Sequence, residues 1–152
     1  MSGAAGPVAA RSRVERLAPA KLNLTLAVVG RREDGYHALH SVMVPLAVGD
    51  VVALSPAPRR SAEGAARPTP DTLRLAGLAL AVTPENLVLQ AIEATRRALR
   101  ATWPGATWAA APADPPPLAA RLTKRIPVAA GLGGGSSDAA ATVAAALEAW
   151  GA

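Results

Sequence analysis

The stretch that decides the fold is residues 119–150, which read AARLTKRI, then PVAAGLGGG, then SSDAAATVAAALEAW. The first segment, Ala119 to Ile126, is a predicted strand. The last, Ser136 to Trp150, is rich in alanine, the residue with the highest helix propensity, and predicts a helix. Between them lie four glycines within five residues, from Gly131 to Gly135. The order is therefore strand, glycine-rich loop, helix.

This order suits the binding of an anion. Glycines permit positive φ and let main-chain N–H groups approach a ligand closely. Ser136 and Ser137 can cap the helix, whose first N–H groups are unpaired and carry a partial positive charge. Residues 131–137 therefore predict a phosphate-binding cradle. Asp138, placed in the first turn, would repel a bare phosphate, and a bound magnesium ion could relieve that repulsion.

Other glycine motifs fit this loop poorly. A P-loop requires Gly-Lys-Ser or Gly-Lys-Thr, and no lysine follows these glycines. A dinucleotide-binding fingerprint requires G-x-G-x-x-G or G-x-G-x-x-A, whereas Ser136 and Asp138 occupy the third position in the two registers available. The alternative without a ligand is a flexible turn followed by a helix cap.

A second informative segment lies near the N-terminus. Residues 21–28 alternate between apolar and polar types and predict a strand with one buried face, formed by Leu22, Leu24, Leu26 and Val28. Lys21 and Asn23 point to the opposite face. Asp34-Gly35 predicts a tight turn, and Tyr36 and His37 follow it directly.

The middle of the chain predicts further strands and one helix. Residues 42–54 read as two strands broken at Gly49-Asp50, with Pro45 at an edge or a bulge. Residues 73–82 resume apolar patterning. A helix then begins with Thr83 as its cap and Pro84 in its first position. Its predicted inner face is Val88, Ile92, Thr95 and Leu99, and its predicted outer face is Gln90, Glu93, Arg96, Arg97 and Arg100.

Composition narrows the class of protein. The chain has 152 residues, a net charge of +5 and no cysteine, which excludes disulfides and thiolate metal sites and fits a reducing cytoplasm. No run of about 18 apolar residues predicts a membrane span. Residues 1–15 are interpreted as a disordered leader, and 16–152 as the folded domain. The positive charge suits an anionic partner, either a phosphorylated small molecule or nucleic acid.

Several segments together resemble the GHMP kinases. Residues 127–140 resemble the ATP-binding motif of that superfamily. Residues 18–24 (APAKLNL), 31–37 (RREDGYH) and 84–87 (PENL) resemble its branch that acts on 4-diphosphocytidyl-2-C-methyl-D-erythritol. The resemblance implies an α+β fold of the ribosomal protein S5 domain 2-like type, with an antiparallel-rich sheet and helices on one face.

The resemblance also implies an activity and roles for particular residues. The γ-phosphoryl group of ATP, with Mg²⁺, would be transferred to the 2-hydroxyl of the methylerythritol unit in the non-mevalonate isoprenoid pathway. Lys21 would be the catalytic lysine, and Asn23, Tyr36 and His37 would bind the substrate. The implied ATP-binding residues are Asn86, Lys124, Pro127, Val128, Ala129, Ala130, Gly131, Leu132, Gly133, Gly134, Gly135, Ser136 and Ser137.

One element of the family pattern is not found. The family has a catalytic aspartate in a later segment resembling Gly-Ala-Asp-Val-Pro, which is not among these 152 residues. We therefore expect little kinase activity from this chain alone. Another GHMP small-molecule kinase, of the homoserine or mevalonate type, is an alternative, as is a basic RNA-binding domain of related fold. The scarcity of aromatic residues among the basic ones disfavours nucleic acid as a partner.

Overall fold

A computed structural model describes residues 13–57, 70–78, 85–101 and 115–152. The described residues form four strands and two helices. These are β1 (Val14–Arg31), β2 (His37–Pro56), β3 (Thr72–Gly77), α1 (Leu87–Arg100), β4 (Leu118–Lys124) and α2 (Gly134–Trp150). β1 begins within the segment assigned from sequence to a leader, and residues 1–12 lie outside the described residues.

The strands form one mixed sheet in the order β1-β2-β4-β3. β2 pairs antiparallel with both β1 and β4, whereas β3 and β4 are parallel and are connected through α1. Alternate residues of β2 and β4 point into one core cluster, to which both helices contribute: Val52, Leu54, Leu118, Ala120, Leu122, Val88, Ile92, Ala145, Ala146 and Trp150. The predicted α+β architecture, with an antiparallel-rich sheet and helices on one face, is confirmed.

The predicted buried face of the first strand is wrong. Leu22, Leu24, Leu26 and Val28 are 45–64% exposed. Only the first part of β1 is covered, where Val14, Ala18 and Ala20 are buried. Beyond it, β1 and β2 continue as a two-stranded hairpin that no described helix covers. Alternation predicts that a strand has an apolar face, but it does not show what packs on that face.

β2 is also longer than predicted. It runs through Gly49-Asp50 as one strand, so the predicted break is wrong. The predicted bulge is confirmed, because Gly49 pairs with Pro19 while Pro45 pairs with Lys21, so that residues 46–48 stand opposite a single residue of β1. Gly49 allows this close approach, since a Cβ there would lie 2.7 Å from the carbonyl oxygen of Ala18.

Both helices begin at other residues than predicted. α1 begins at Leu87, and Asn86 caps it by accepting the N–H of Val88 at 3.0 Å. Thr83 and Pro84, the predicted start, lie outside the described residues. α2 begins at Gly134, two residues before the predicted Ser136. Neither helix in the described part of the chain is long and apolar enough to cross a membrane.

Arg96 was predicted to face solvent but is buried. Its guanidinium donates to both carboxylate oxygens of Asp71 at 2.7 Å and lies 5.2 Å from the centre of the Trp150 ring. Asp71 also accepts the N–H of Leu118 at 2.8 Å. The indole N–H of Trp150 donates to the carbonyl of Pro116 at 3.0 Å. This arrangement fixes both helices to the beginning of β4.

We predict that Arg96→Met lowers the free energy of unfolding by about 3–5 kcal/mol, because it leaves the carboxylate of Asp71 buried without its cation. Arg97→Met, on the exposed side of the same helix, should change it by less than about 0.5 kcal/mol. Urea denaturation of the two variants provides the measurement. Equal stability of the two variants would contradict a stabilising role for Arg96.

Candidate phosphate-binding site

The segment between β4 and α2 turns repeatedly through left-handed backbone conformations. Ala129, Gly131 and Gly133 have φ values of 58°, 72° and 71°. Glycine adopts such values readily, whereas Ala129 is held in a region that residues with a Cβ seldom occupy. We call residues 125–133 the glycine-rich loop.

The loop borders a cavity of about 500 Å³. This volume is within the usual range for small-molecule sites. Its wall contains most of the residues that the sequence assigned to ATP: Asn86, Lys124, Pro127, Val128, Ala129, Ala130, Gly131, Leu132, Gly133, Gly134, Gly135 and Ser136. Glu85, Leu87, Leu122 and Asp138 complete the wall, and Ser137 is not part of it.

α2 begins directly after this loop. Its N-cap is Gly133, and no side chain caps the helix, so the predicted capping by Ser136 or Ser137 is wrong. The first N–H groups of a helix lack partners within the helix and carry a partial positive charge. Because α2 begins at Gly134, Asp138 is its fifth residue rather than part of its first turn. Its carboxylate is therefore farther from the helix end than predicted.

Lys21 joins the first strand to the loop. Its main-chain N–H donates to the carbonyl of Leu132 at 2.9 Å. Its side chain lies against Gly133, where a Cβ would be 3.0 Å from Cγ and 3.2 Å from Cε of the lysine. Gly133 is thus required both by its positive φ and by the neighbouring lysine. The structure places Lys21 beside the loop, and its catalytic role stays a prediction.

Beneath the loop lies a buried cluster of three charged side chains, Asp50, Lys124 and Asp138, each at most 5% exposed. The Lys124 ammonium donates to Asp50 Oδ2, and it lies 2.9 Å from Asp138 Oδ2. Asp50 Oδ1 accepts the main-chain N–H groups of Arg125 and Ile126. The sequence assigned Lys124 to the nucleotide, but its ammonium is held by these two carboxylates.

The environment shifts the pKa values within this cluster in different directions. Burial alone would raise the pKa of Asp50, but the N–H groups of Arg125 and Ile126 and the Lys124 ammonium together lower it. Burial dominates at Asp138 and raises its pKa. Burial acts to lower the pKa of Lys124, but the two carboxylates outweigh it and raise that pKa. The partners of Asp50 therefore favour its charged form.

Sequence reasoning missed the role of Asp50. The signal was an aspartate directly before the apolar run 51–54, which we interpreted as a break between strands. An acidic side chain in the interior of a strand is rarely buried without a cation. The partner, Lys124, lies 74 residues away, so only the tertiary structure identifies the pair.

The predicted substrate-binding residues lie along the hairpin formed by β1 and β2. The side-chain oxygen of Asn23 is buried and has no hydrogen-bond partner in the described residues. Tyr36 is 75% exposed in the turn, and the neighbouring His37 is also exposed. His37 pairs with Arg31, ten strand residues beyond Lys21, or about 33 Å at 3.3 Å per residue. The structure does not bring Tyr36 or His37 to the loop.

We predict a stability difference between the wild type and Asp50→Asn that depends on pH. Because the pKa of Asp50 is lowered on folding, its stabilising contribution is fully present above its unfolded value of about 3.9. The contribution is lost as the pH falls through the lower folded value. The difference in unfolding free energy should therefore narrow in acid, as measured by denaturation at a series of pH values. A difference that is constant down to pH 2 would contradict this account.

Comparison with known proteins gives a consistent result. Residues 86–152 match the family described as GHMP kinases N terminal domain. A 4-diphosphocytidyl-2-C-methyl-D-erythritol kinase of Ruegeria pomeroyi is 43% identical over 138 residues, or 91% of this chain and 40% of that protein. The protein of the same name from Deinococcus radiodurans is 47% identical over 131 residues, 86% of this chain and 36% of that protein.

Two solved structures have folds similar to that of this chain. A crystal structure of 4-(cytidine 5'-diphospho)-2C-methyl-D-erythritol kinase superposes with a TM-score of 0.62 and 35% identity, covering 90% of this chain and 41% of that one. Mevalonate pyrophosphate decarboxylase from Streptococcus pyogenes has a TM-score of 0.57 at 17% identity, covers 92% of this chain and 38% of that one, and shares the fold alone.

The chain spans about 35–40% of the length of the curated relatives it matches. Within that span, the similarity in sequence covers most of the chain, and the fold and the glycine-rich loop agree with it. Residues 86–152 belong to the family of GHMP kinase N-terminal domains.

Proposed function

We propose that this chain provides the ATP-binding part of a 4-diphosphocytidyl-2-C-methyl-D-erythritol kinase. The reaction would transfer the γ-phosphoryl group of ATP to the 2-hydroxyl of the methylerythritol unit. The observation that carries the proposal is the left-handed glycine-rich loop running into the uncapped N-terminus of α2, with Lys21 packed beside Gly133.

The loop suits a triphosphate for electrostatic reasons. The unpaired N–H groups at the start of α2 lie next to the cavity, and the positive end of the helix dipole favours negative charge there. No side chain competes for these donors, because the N-cap is a glycine. The cavity beside the loop has room for the rest of a nucleotide.

Lys21 supports the second part of the proposal. Catalysis of phosphoryl transfer depends mainly on positioning and on stabilising charge. A cationic side chain beside the loop would stabilise the γ-phosphoryl group while its bond to the β-phosphate oxygen breaks and a bond to the acceptor hydroxyl forms. The hydroxyl proton needs a base, and the family resemblance assigns that role to an aspartate in a segment that these 152 residues do not include.

Magnesium would accompany the nucleotide. The described residues contain no group of three or more His, Cys, Asp or Glu side chains that could hold a metal ion. Mg²⁺ in nucleotide sites is typically held by substrate phosphates, water and one or two protein oxygens. Ser136, in the cavity wall, fits that pattern as a hydroxyl ligand. The ion would neutralise charge on the phosphates.

The choice of acceptor rests on sequence similarity to the named relatives and on Asn23. The buried, unpartnered oxygen of Asn23 lies on the same strand as Lys21, two residues away, and could accept a hydrogen bond from a hydroxyl group of the substrate. Tyr36 and His37 as cytosine-binding residues remain a prediction. A longer form of the protein that phosphorylates homoserine and ignores the cytidyl compound would refute this acceptor.

We predict that the 152-residue chain binds ATP with Mg²⁺ at least tenfold more tightly than AMP, because the loop contacts the terminal phosphates, yet transfers phosphate very slowly. Gly133→Ala should weaken ATP binding at least tenfold, since it strains the loop and displaces Lys21. Gly35→Ala is the matched control: it has a similar positive φ, of 85°, in the hairpin turn and an open surrounding. Titration calorimetry measures these four affinities: ATP and AMP with the wild type, and ATP with each variant.

Equal affinities for ATP and AMP would refute phosphate recognition by the loop. An equal loss of ATP affinity in Gly133→Ala and Gly35→Ala would show that backbone strain lowers ATP binding wherever in the chain it is introduced. Rapid phosphorylation by the 152 residues alone would contradict the need for a further catalytic aspartate.

A further inference from the structure

Two aspartates hold the two ends of β4 in the same manner. At its beginning, Asp71 accepts the N–H of Leu118 and pairs with the buried Arg96. At its end, Asp50 accepts the N–H groups that follow the strand and pairs with the buried Lys124. Asp71 lies at the end of the strand away from the loop, whereas Asp50 lies where the glycine-rich loop begins.

Asp50 fixes the first residues of the loop. Its Oδ1 accepts the N–H of Arg125 at 2.5 Å and that of Ile126 at 2.9 Å. The direction in which the chain leaves β4 is thus set by a carboxylate on the neighbouring strand β2. Through Lys124, the same carboxylate is connected to Asp138 on α2.

Gly134, the residue that follows the loop and begins α2, meets the same group. A Cβ at Gly134 would lie 3.0 Å from Cγ2 of Ile126 and 3.4 Å from Oδ2 of Asp50. The first turn of α2 therefore packs directly on the beginning of the loop and on the aspartate that holds it. The two ends of the loop are closed against each other at Asp50.

We propose that Asp50 is a positioning residue for nucleotide binding: its carboxylate closes the base of the glycine-rich loop and so fixes the loop N–H groups where a triphosphate can bind. The inference rests on the proposed function, because it assumes that the loop binds a nucleotide. Asp50 itself is fully buried and is not part of the cavity wall.

Asp50→Asn is a suitable test because it preserves size while removing the charge. One of the two side-chain atoms would become an NH₂ donor facing either the Lys124 ammonium or the main-chain N–H groups of residues 125 and 126. An N–H donor cannot form a hydrogen bond with another donor. Either the Lys124 ammonium or the main-chain N–H groups of residues 125 and 126 would therefore lose their acceptor, and one end of the loop would be released. Asp71→Asn makes the same chemical change at the opposite end of β4, beside Arg96, and is the matched control.

The experiment measures ATP affinity by calorimetry, thermal stability, and hydrogen exchange of the amides in residues 127–135, for the wild type and both variants of the whole chain. We expect both variants to lose stability. Asp50→Asn should also lose at least tenfold in ATP affinity and show faster exchange in the loop. Asp71→Asn should retain ATP affinity within about twofold. Its hydrogen exchange in the loop should equal that of the wild type.

A second variant covers the case in which Asp50→Asn does not fold. Asp138→Asn leaves the main-chain contacts of Asp50 intact and weakens its connection to α2 through Lys124, so we expect faster loop exchange than in the wild type. Asp138 also lines the cavity, so loop exchange rather than ATP affinity is the readout for this variant. Loop exchange in Asp138→Asn that equals that of the wild type would then overturn the proposal.

The outcomes separate the inference from the function on which it rests. Wild-type affinity and loop exchange in Asp50→Asn would overturn the positioning role while leaving the proposed function intact. An equal loss of affinity in Asp71→Asn would overturn it as well, since general destabilisation would explain the effect. If the wild type binds no ATP, the proposed function fails, and unchanged loop exchange in Asp50→Asn would still refute closure of the loop.

Discussion

The ammonium of Lys124, buried between the carboxylates of Asp50 and Asp138, is the interaction on which the site depends. It joins β2, β4 and α2 at one point beneath the glycine-rich loop. Burying charges is costly, and such a cluster is stable only when each charge has a partner of good geometry. Asp50 meets this requirement through its ion pair with Lys124 and the two main-chain N–H groups that it binds.

The cluster gives the loop a rigid base, and the loop itself stays open to a ligand. Its left-handed residues turn the chain so that α2 begins with free N–H groups beside the cavity. Lys21 lines the outer side of the loop through its contacts with Leu132 and Gly133. Rigid support below and unpaired donors above are what a phosphate-binding site requires, because preorganised donors need no rearrangement on binding.

Part of this arrangement could be predicted from the sequence. The glycines followed by an alanine-rich segment determine their structure locally, so the order of strand, loop and helix was predicted correctly. Asp50 and Arg96 could not be predicted in the same way. Helical periodicity puts Arg96 on the predicted outer face of α1, where an arginine is expected to face solvent. Only its distant partner Asp71 explains why it is buried.

The hairpin shows another limit of sequence patterns. Alternation along residues 22–28 predicted the strand correctly and its burial wrongly, because burial depends on what packs against the face. The residues assigned to the cytosine, Tyr36 and His37, lie on this hairpin, and their predicted role derives from resemblance alone. Asn86 caps α1 and also lines the cavity, so its predicted ligand role would coincide with a structural one.

The most direct measurement is a crystal structure of the chain with a non-hydrolysable ATP analogue and Mg²⁺. The account predicts that the β- and γ-phosphate oxygens accept hydrogen bonds from main-chain N–H groups between Gly131 and Ser136, with Asp50 and Lys124 unmoved beneath them. A nucleotide bound elsewhere, or held with those N–H groups unoccupied, would contradict it.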